Sequence, residues 1–374
     1  MTVTAPPVPT PAEPDPIAST TPPLPPHFAI GADLSGDHPL FPIPPEALRE
    51  LAAALDRSET HYTDVMGVAP LRAGVARLLG ALGLGIRDPA TILVSSGEQE
   101  SRFLALQTLS RAGRALLLPA VVHPGAWLAA RVVPGGRIER LPVDETLTPT
   151  QESVRAAFAR HASAALYLEV PNRFTGRAVA SDRFAALLQE VQRADGMMVV
   201  DAGIAPWLPP SLVPAPLADS VAAERIWLLG SLCPGTGVDG WQIGYLAVPP
   251  EWIGAARSLK QIIAICTSVP VQWAAVGALQ AAGEVHAARR ETLRQLRADA
   301  LRHLPQSEVL PGDAATVLAI RYGSGKPPAL PFVAASGEAF GLPGALRLTI
   351  TPSGEAVAAA ALLARGSAVQ VNPP

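Results

Sequence analysis

The chain has 374 residues, a formal net charge of −3 and 16% charged residues against 49% apolar ones. It is long enough for a sizeable buried core, and its charge excludes a protein built on bulk attraction to nucleic acid or an anionic membrane surface. A mean hydropathy of +0.26 points to a buried rather than a disordered chain. Of the 29 basic residues 27 are arginine, leaving Lys260 and Lys326 as the sole lysines, so chemistry that needs an amine has two candidates. Two cysteines make no disulfide framework, and we expect a reducing, cytoplasmic setting.

Residues 1–27 hold ten prolines among Thr, Ala and acidic residues, with no basic and apolar leader pattern, and read as a disordered, polyproline-leaning tail; 366–374 read as a second. No uninterrupted apolar run is long enough to span a membrane. Residues 44–56 form an amphipathic helix. From 91 to 248, short apolar runs alternate with helical stretches. Strands are expected at 91–94, 114–118, 137–141, 164–169, 197–201, 226–230 and 243–248, with helices at 98–110, 125–133, 152–160 and 181–193. Repeated strand–helix–strand units predict an α/β fold with a large, doubly wound, mostly parallel sheet, whose chemistry sits at the carboxyl ends of the strands. Ala-rich helices follow over 251–282, interrupted near Pro270, and over 285–303. Strands at 316–321 and 346–350 and helices at 330–336 and 354–364 make a smaller α+β domain. The expected division is 28–56 with 256–365 in the small domain and 57–255 in the large one.

Two tempting motifs fail. Gly235 to Gly240 matches G-x-G-x-x-G after a strand, but a strand follows instead of the helix a dinucleotide needs. Gly323 to Lys326 is no phosphate loop, because Ile320 replaces its first glycine and Pro327 its Ser/Thr. The seven histidines show no metal-ligand spacing, and no metal site is expected.

Six segments in order carry a resemblance. They are Tyr62 with the run Gly67 to Arg72; Ser96-Gly97-Glu98; the loop Pro171 to Gly176; Val199 to Ala202; Ser231 through Gly237, Gly240 and Gln242 to Tyr245; and Gly337 to Gly341 with Leu346-Arg347-Leu348. Together they resemble the class I/II aminotransferases, the fold-type I pyridoxal phosphate (PLP) enzymes. The resemblance implies a homodimer with its site at the interface. PLP chemistry needs a Schiff-base amine, a carboxylate that keeps the pyridine nitrogen protonated, an anion cup for the phosphate and an aromatic face. By resemblance Asp201 is the carboxylate. Ser231 and the Gly97 and Glu98 amides belong to the cup. Tyr62 is a phosphate ligand sent to the neighbouring subunit, His123 lies near the ring-stacking position, and Arg347 forks the substrate carboxylate.

The departures matter more. The Schiff-base position carries Pro234, and neither lysine is placed to replace it. The phosphate arginine is Gln242, the ring-hydroxyl asparagine is Arg173 with Asn172 one residue early, the tyrosine after the aspartate is Ile204, and Glu98 adds an anion to the cup. These changes argue against a conventional transaminase and against PLP retention. They point to a pseudoenzyme or a supporting subunit paired with an active paralogue. The alternative is an enzyme of this fold acting on a small amino or carboxylic acid, either an aminotransferase or one that holds PLP or PMP non-covalently or uses no cofactor, with His123 or Glu98 as base. We expect Arg173 to reach toward Asp201 or Glu98 and fill part of the vacated site, since a buried carboxylate needs a partner or a proton.

Overall fold

The structure is a computed structural model that describes residues 32–132, 135–219, 223–232, 234, 238–280, 282–322, 330 and 332–364. Both expected tails and Lys326 lie outside the described residues.

Seven strands form the larger sheet: β1 (Ile92–Ser95), β2 (Leu116–Pro119), β3 (Ile138–Leu141), β4 (Ala165–Glu169), β5 (Met197–Asp201), β6 (Ile226–Ser231) and β7 (Gly244–Ala247). Their order is β1-β7-β6-β5-β4-β2-β3, with β7 antiparallel to both neighbours and every other pairing parallel. Helices cover both faces, so β1, β2, β4, β5 and β7 are buried at every position. That is why they read as unbroken apolar runs rather than alternating ones. The described part of the glycine-rich stretch, from Val238, leads into β7 as expected; Gly235 and Gly237 lie outside the described residues.

Helices α1 (Pro45–Asp56), α2 (Ala69–Ala81), α3 (Gly97–Arg111), α4 (Pro124–Ala130), α5 (Gln151–Arg160) and α6 (Ser181–Arg193) precede α7 (Ile253–Ala264), α8 (Val269–Gln280) and the long α9 (Ala282–His303). The break in the Ala-rich stretch falls at 265–268, not at Pro270. Pro270 instead sits in the first turn of α8, where its missing N–H would have no partner anyway.

The smaller sheet is antiparallel, with β8 (Val309–Leu310), β9 (Val317–Arg321), β10 (Ala335–Ser336) and β11 (Ala345–Thr349) in the order β10-β11-β9-β8. The helix expected at 330–336 is not formed among the described residues: Val333 makes an isolated bridge to Asp33, and Ala335 and Ser336 pair with Arg347 and Leu346 of β11. Strand pairing overrides a window too short for periodicity to decide. The brief α10 (Gly337–Phe340) follows, and α11 (Glu355–Ala364) packs on α9.

The expected domain division also shifts. Ala47 of α1 and Ala275 and Ala278 of α8 join the large sheet's core with Leu71, Val75 and Leu79, and α7 adds Ala256 and Leu259 on the other face. Leu34 instead joins the small sheet's core with Leu318, Leu348 and Ile350. Amphipathic periodicity shows that a helix has an apolar face, not which sheet that face covers. The segment at 33–37 is therefore anchored to the small sheet. Leu34 N–H donates to Val333 at 2.8 Å, and its carbonyl accepts from Thr349 N–H at 2.9 Å.

Candidate active site

Three parallel strands end on functional side chains: β4 on Glu169, β5 on Asp201 and β6 on Ser231. Glu169 and Asp201 are register partners, which brings two carboxylates to one edge. Facing them is the start of α3. Gly97 turns the chain at φ +80°, and a Cβ there would collide with the Gln242 side chain. A left-handed turn under close cover is a position for glycine. Gly97, Glu98, Arg102, His123, Ser231 and Gln242 line a cleft of about 410 Å³ together with Asp37 and His38.

Asp201 is fully buried and accepts three hydrogen bonds. Its Oδ2 accepts from Arg102 Nε at 2.8 Å and from the Tyr167 hydroxyl at 2.6 Å. Its Oδ1 accepts from Gly203 N–H at 3.0 Å, and Arg173 Nη1 stands 3.8 Å away. Burial pushes this carboxyl up, but Arg102 and then Arg173 outweigh it and hold it below the usual range.

Arg173 reaches both expected carboxylates and a third. It is fully buried. Its Nη2 lies 2.6 Å from Glu98 Oε1 and 3.0 Å from Asp37 Oδ2. A Cβ on Gly203 would meet the Arg173 guanidinium and the Glu98 carboxylate, so Gly203 leaves room for the pair. Arg102, one turn beyond Glu98 on α3, adds a second cation at 3.2 Å. Burial raises the Glu98 carboxyl, yet Arg173 and Arg102 bring it well below its ordinary value. Glu169 behaves the other way. Burial and then the Asp201 charge raise it to about 7, although it accepts the backbone N–H groups of His123 and Arg173.

Arg347 is placed differently from the expectation of a free fork. Nη1 donates to Asp37 Oδ1 at 2.7 Å and to the Arg173 carbonyl at 3.1 Å; Nη2 donates to the carbonyls of Ser35 and Gly36 at 2.6 and 2.9 Å. A carboxylate of the chain itself thus takes the place a ligand carboxylate would need. His123 caps α4, with Nδ1 accepting from Gly125 N–H at 3.0 Å, so Nε2 carries the proton toward Asp37 Oδ2 at 3.0 Å. The ring meets Phe340 edge-on at 5.6 Å. Burial, then Arg102, lower its basicity. Asp37 itself is pushed up by burial and brought well below the carboxylate range by Arg173 and Arg347.

Tyr62 is 82% exposed and does not line the cleft. Asn172 turns inward: its side-chain oxygen accepts from Phe174 N–H, Thr175 N–H and the Thr175 hydroxyl, folding the loop that aims Arg173. Ile204 is buried in the small sheet's core. Pro234 is buried in a turn. Lys260 is fully buried elsewhere, with Nζ 3.0 Å from Glu100 Oε1 and 3.2 Å from the Thr267 hydroxyl. Among the described residues no His/Cys/Asp/Glu group has metal-binding geometry, and no helix is long and apolar enough to cross a membrane. The sequence reading missed Asp37, His38, Arg102 and Tyr167. Only Arg102 carried a signal, its i,i+4 spacing from Glu98 on a helix.

The chain matches the family described as aminotransferase class I and II over residues 30–363. It is 22% identical to an aspartate aminotransferase of Thermotoga maritima over 250 residues, 66% of each protein. It is 26% identical to the glutamate-pyruvate aminotransferase AlaC of Escherichia coli over 257 residues, 66% of this chain and 61% of that one. These alignments span a little under two thirds of each relative. Among solved structures, YbdL from Escherichia coli, titled with a methionine aminotransferase function, superposes with a TM-score of 0.79 at 20% identity, covering 88% of this chain and 92% of that one. A Thermus thermophilus aspartate aminotransferase double mutant gives 0.76 at 21%, covering 89% and 91%. The strand order, the residues at the strand ends and the family match agree: the chain belongs to the class I and II aminotransferases, with their fold-type I architecture.

Proposed function

We propose that this chain is a non-transaminating member of its family, a pseudoenzyme or a supporting subunit for a lysine-bearing paralogue. The observation that carries the reading is the ion-pair cluster of Arg102, Arg173 and Arg347 with Glu98, Asp201 and Asp37. In this reading the residues do not fit the family's cofactor. Asp201 already accepts three hydrogen bonds, from Arg102, Tyr167 and Gly203, so a pyridinium would have to compete with Arg102 for the same carboxylate. Glu98 would set a second anion against a phosphate at the start of α3, and Gln242 offers no charge to offset it. Pro234 supplies no amine, and Lys260 is committed to Glu100. Tyr62, exposed and away from its own cleft, is free to serve a neighbouring subunit.

The test is spectroscopic. The protein, purified and then incubated with pyridoxal phosphate, should show no aldimine absorbance, and borohydride should trap no adduct. A covalent pyridoxyl group on either lysine overturns the proposal. Co-expression with a lysine-bearing paralogue from the same genome should yield a stable heterodimer. A chain that forms only homodimers in that experiment overturns the supporting-subunit form.

A further inference from the structure

A second concavity lies between α2, α9 and the loop at 205–213, away from the cleft at Asp201. Its volume is about 230 Å³, and its polar lining consists of Arg77, Arg290 and His286. The walls are apolar, chiefly Leu78, Leu208 and Leu279. No acidic side chain lines it among the described residues.

His286 is the unusual member. It is 3% exposed, and its Nε2 has no hydrogen-bond partner. Its ring meets Trp207 edge-on at 6.1 Å. The other ring nitrogen bonds the backbone of Pro234. Proline has no N–H, so the partner is its carbonyl and the histidine is the donor. A ring that donates through Nδ1 presents a bare lone pair at Nε2. Burial, then the neighbouring Arg289 and Arg290, push the imidazole down to about 4, so it stays neutral in ordinary buffers. An unmet buried acceptor is destabilising, so a ligand that supplies a donor to it gains. Arg290 spends one donor on the Pro206 carbonyl at 3.2 Å.

An unmet acceptor in a cavity lined by two arginines and apolar walls defines its complement. The ligand must bring an anion for the arginines, its own hydroxyl for Nε2 and a short hydrocarbon body. At water's share of about 30 Å³ per heavy atom, the cavity takes roughly eight non-hydrogen atoms. We propose that this concavity is a second binding site, specific for a small aliphatic hydroxy acid, and that His286 reports its occupancy to the turn at Pro234.

Calorimetry on the full chain tests this with 2-hydroxyisocaproate as probe and isocaproate, which lacks the hydroxyl, as its control. The hydroxy acid should bind about 10-fold tighter than the control, and Arg290→Gln should weaken it about 10- to 100-fold, the range for charge-assisted contacts. His286→Phe keeps the ring volume against Trp207 and should bind both acids equally. If that variant does not fold, the Nε2 resonance of His286 in the native protein serves instead and should shift on titration. No binding to the native chain overturns the proposal, as does equal affinity for both acids. Binding abolished by Arg347→Met but untouched by Arg290→Gln would place the acid in the other cleft and overturn it too.

Discussion

Arg173→Met removes the cation at the centre of the ion-pair cluster while keeping most of the side-chain volume. In the native chain that guanidinium is fully buried and serves Glu98 at 2.6 Å, Asp37 at 3.0 Å and Asp201 at 3.8 Å. Taking one partner from a buried ion pair destabilises by about 3–5 kcal/mol, because a charge is left behind in low dielectric. Three carboxylates share this partner, which places the change at the upper end. At roughly 2 °C per kcal/mol for a chain this size, Tm at neutral pH should fall by about 6–10 °C. The pH dependence identifies the cause. Arg173 holds Glu98 and Asp37 well below their ordinary values. Stability from a depressed carboxylate is fully present above its unfolded value and is lost as pH falls through the folded one. The difference between native and variant should therefore be largest near pH 7 and shrink below the ordinary carboxylate values of 3.8 and 4.5. Adding Glu98→Gln to the variant should recover part of the loss, since removing both partners costs less than removing one. Calorimetric scans across that pH range decide the matter. A deficit that is the same at acid and neutral pH would mean lost packing and would refute the electrostatic argument.

Three other outcomes follow from the same geometry. Asp37→Ala leaves Arg347, Arg173 and His123 facing an empty carboxylate position and should destabilise by about 1–3 kcal/mol; acetate at tens of millimolar should restore much of that Tm, whereas an equal effect from chloride would show simple screening. Pro234→Lys combined with Arg173→Asn should not transaminate, because Arg102 still occupies Asp201 and Gln242 still lacks the charge-assisted contact, worth about 1.5–3 kcal/mol, that a phosphate needs; measurable turnover would contradict this. Glu169, raised to about 7 from 4.5, should by itself make stability fall as pH rises between those values, since the folded state then binds the extra proton. Isotope-edited infrared spectroscopy should show its protonated carboxyl band disappearing near 7, and a band already gone at 4.5 would be wrong for this site.

The large sheet was legible because burial on both faces writes each strand as an apolar run, and Asp201 was legible because it ends one. The turn at Ser96-Gly97 before a helix was legible for the same local reason. What could not be read was pairing over distance. Asp37 and Arg347 lie 310 positions apart, and no periodicity links them. Asp37 also follows a segment whose register depends on the small sheet's edge at Val333 and Thr349, a tertiary fact. The helices α1 and α8 were found in place but assigned to the other sheet, since their apolar faces fit either. Ala335 and Ser336 became strand through Arg347 and Leu346, not through their own propensity.

The cations of the ion-pair cluster, Arg102, Arg173 and Arg347, are arginines, and an arginine in a protein does not give up its proton. The cluster therefore carries fixed positive charge at any ordinary pH. His123 has committed its Nε2 hydrogen to Asp37, and Glu169 is turned toward two backbone amides. Beside the cluster Glu169, raised to about 7, is a group whose proton comes and goes near neutral pH, so pH changes the hydrogen held at the strand ends while the arginine charge stays fixed.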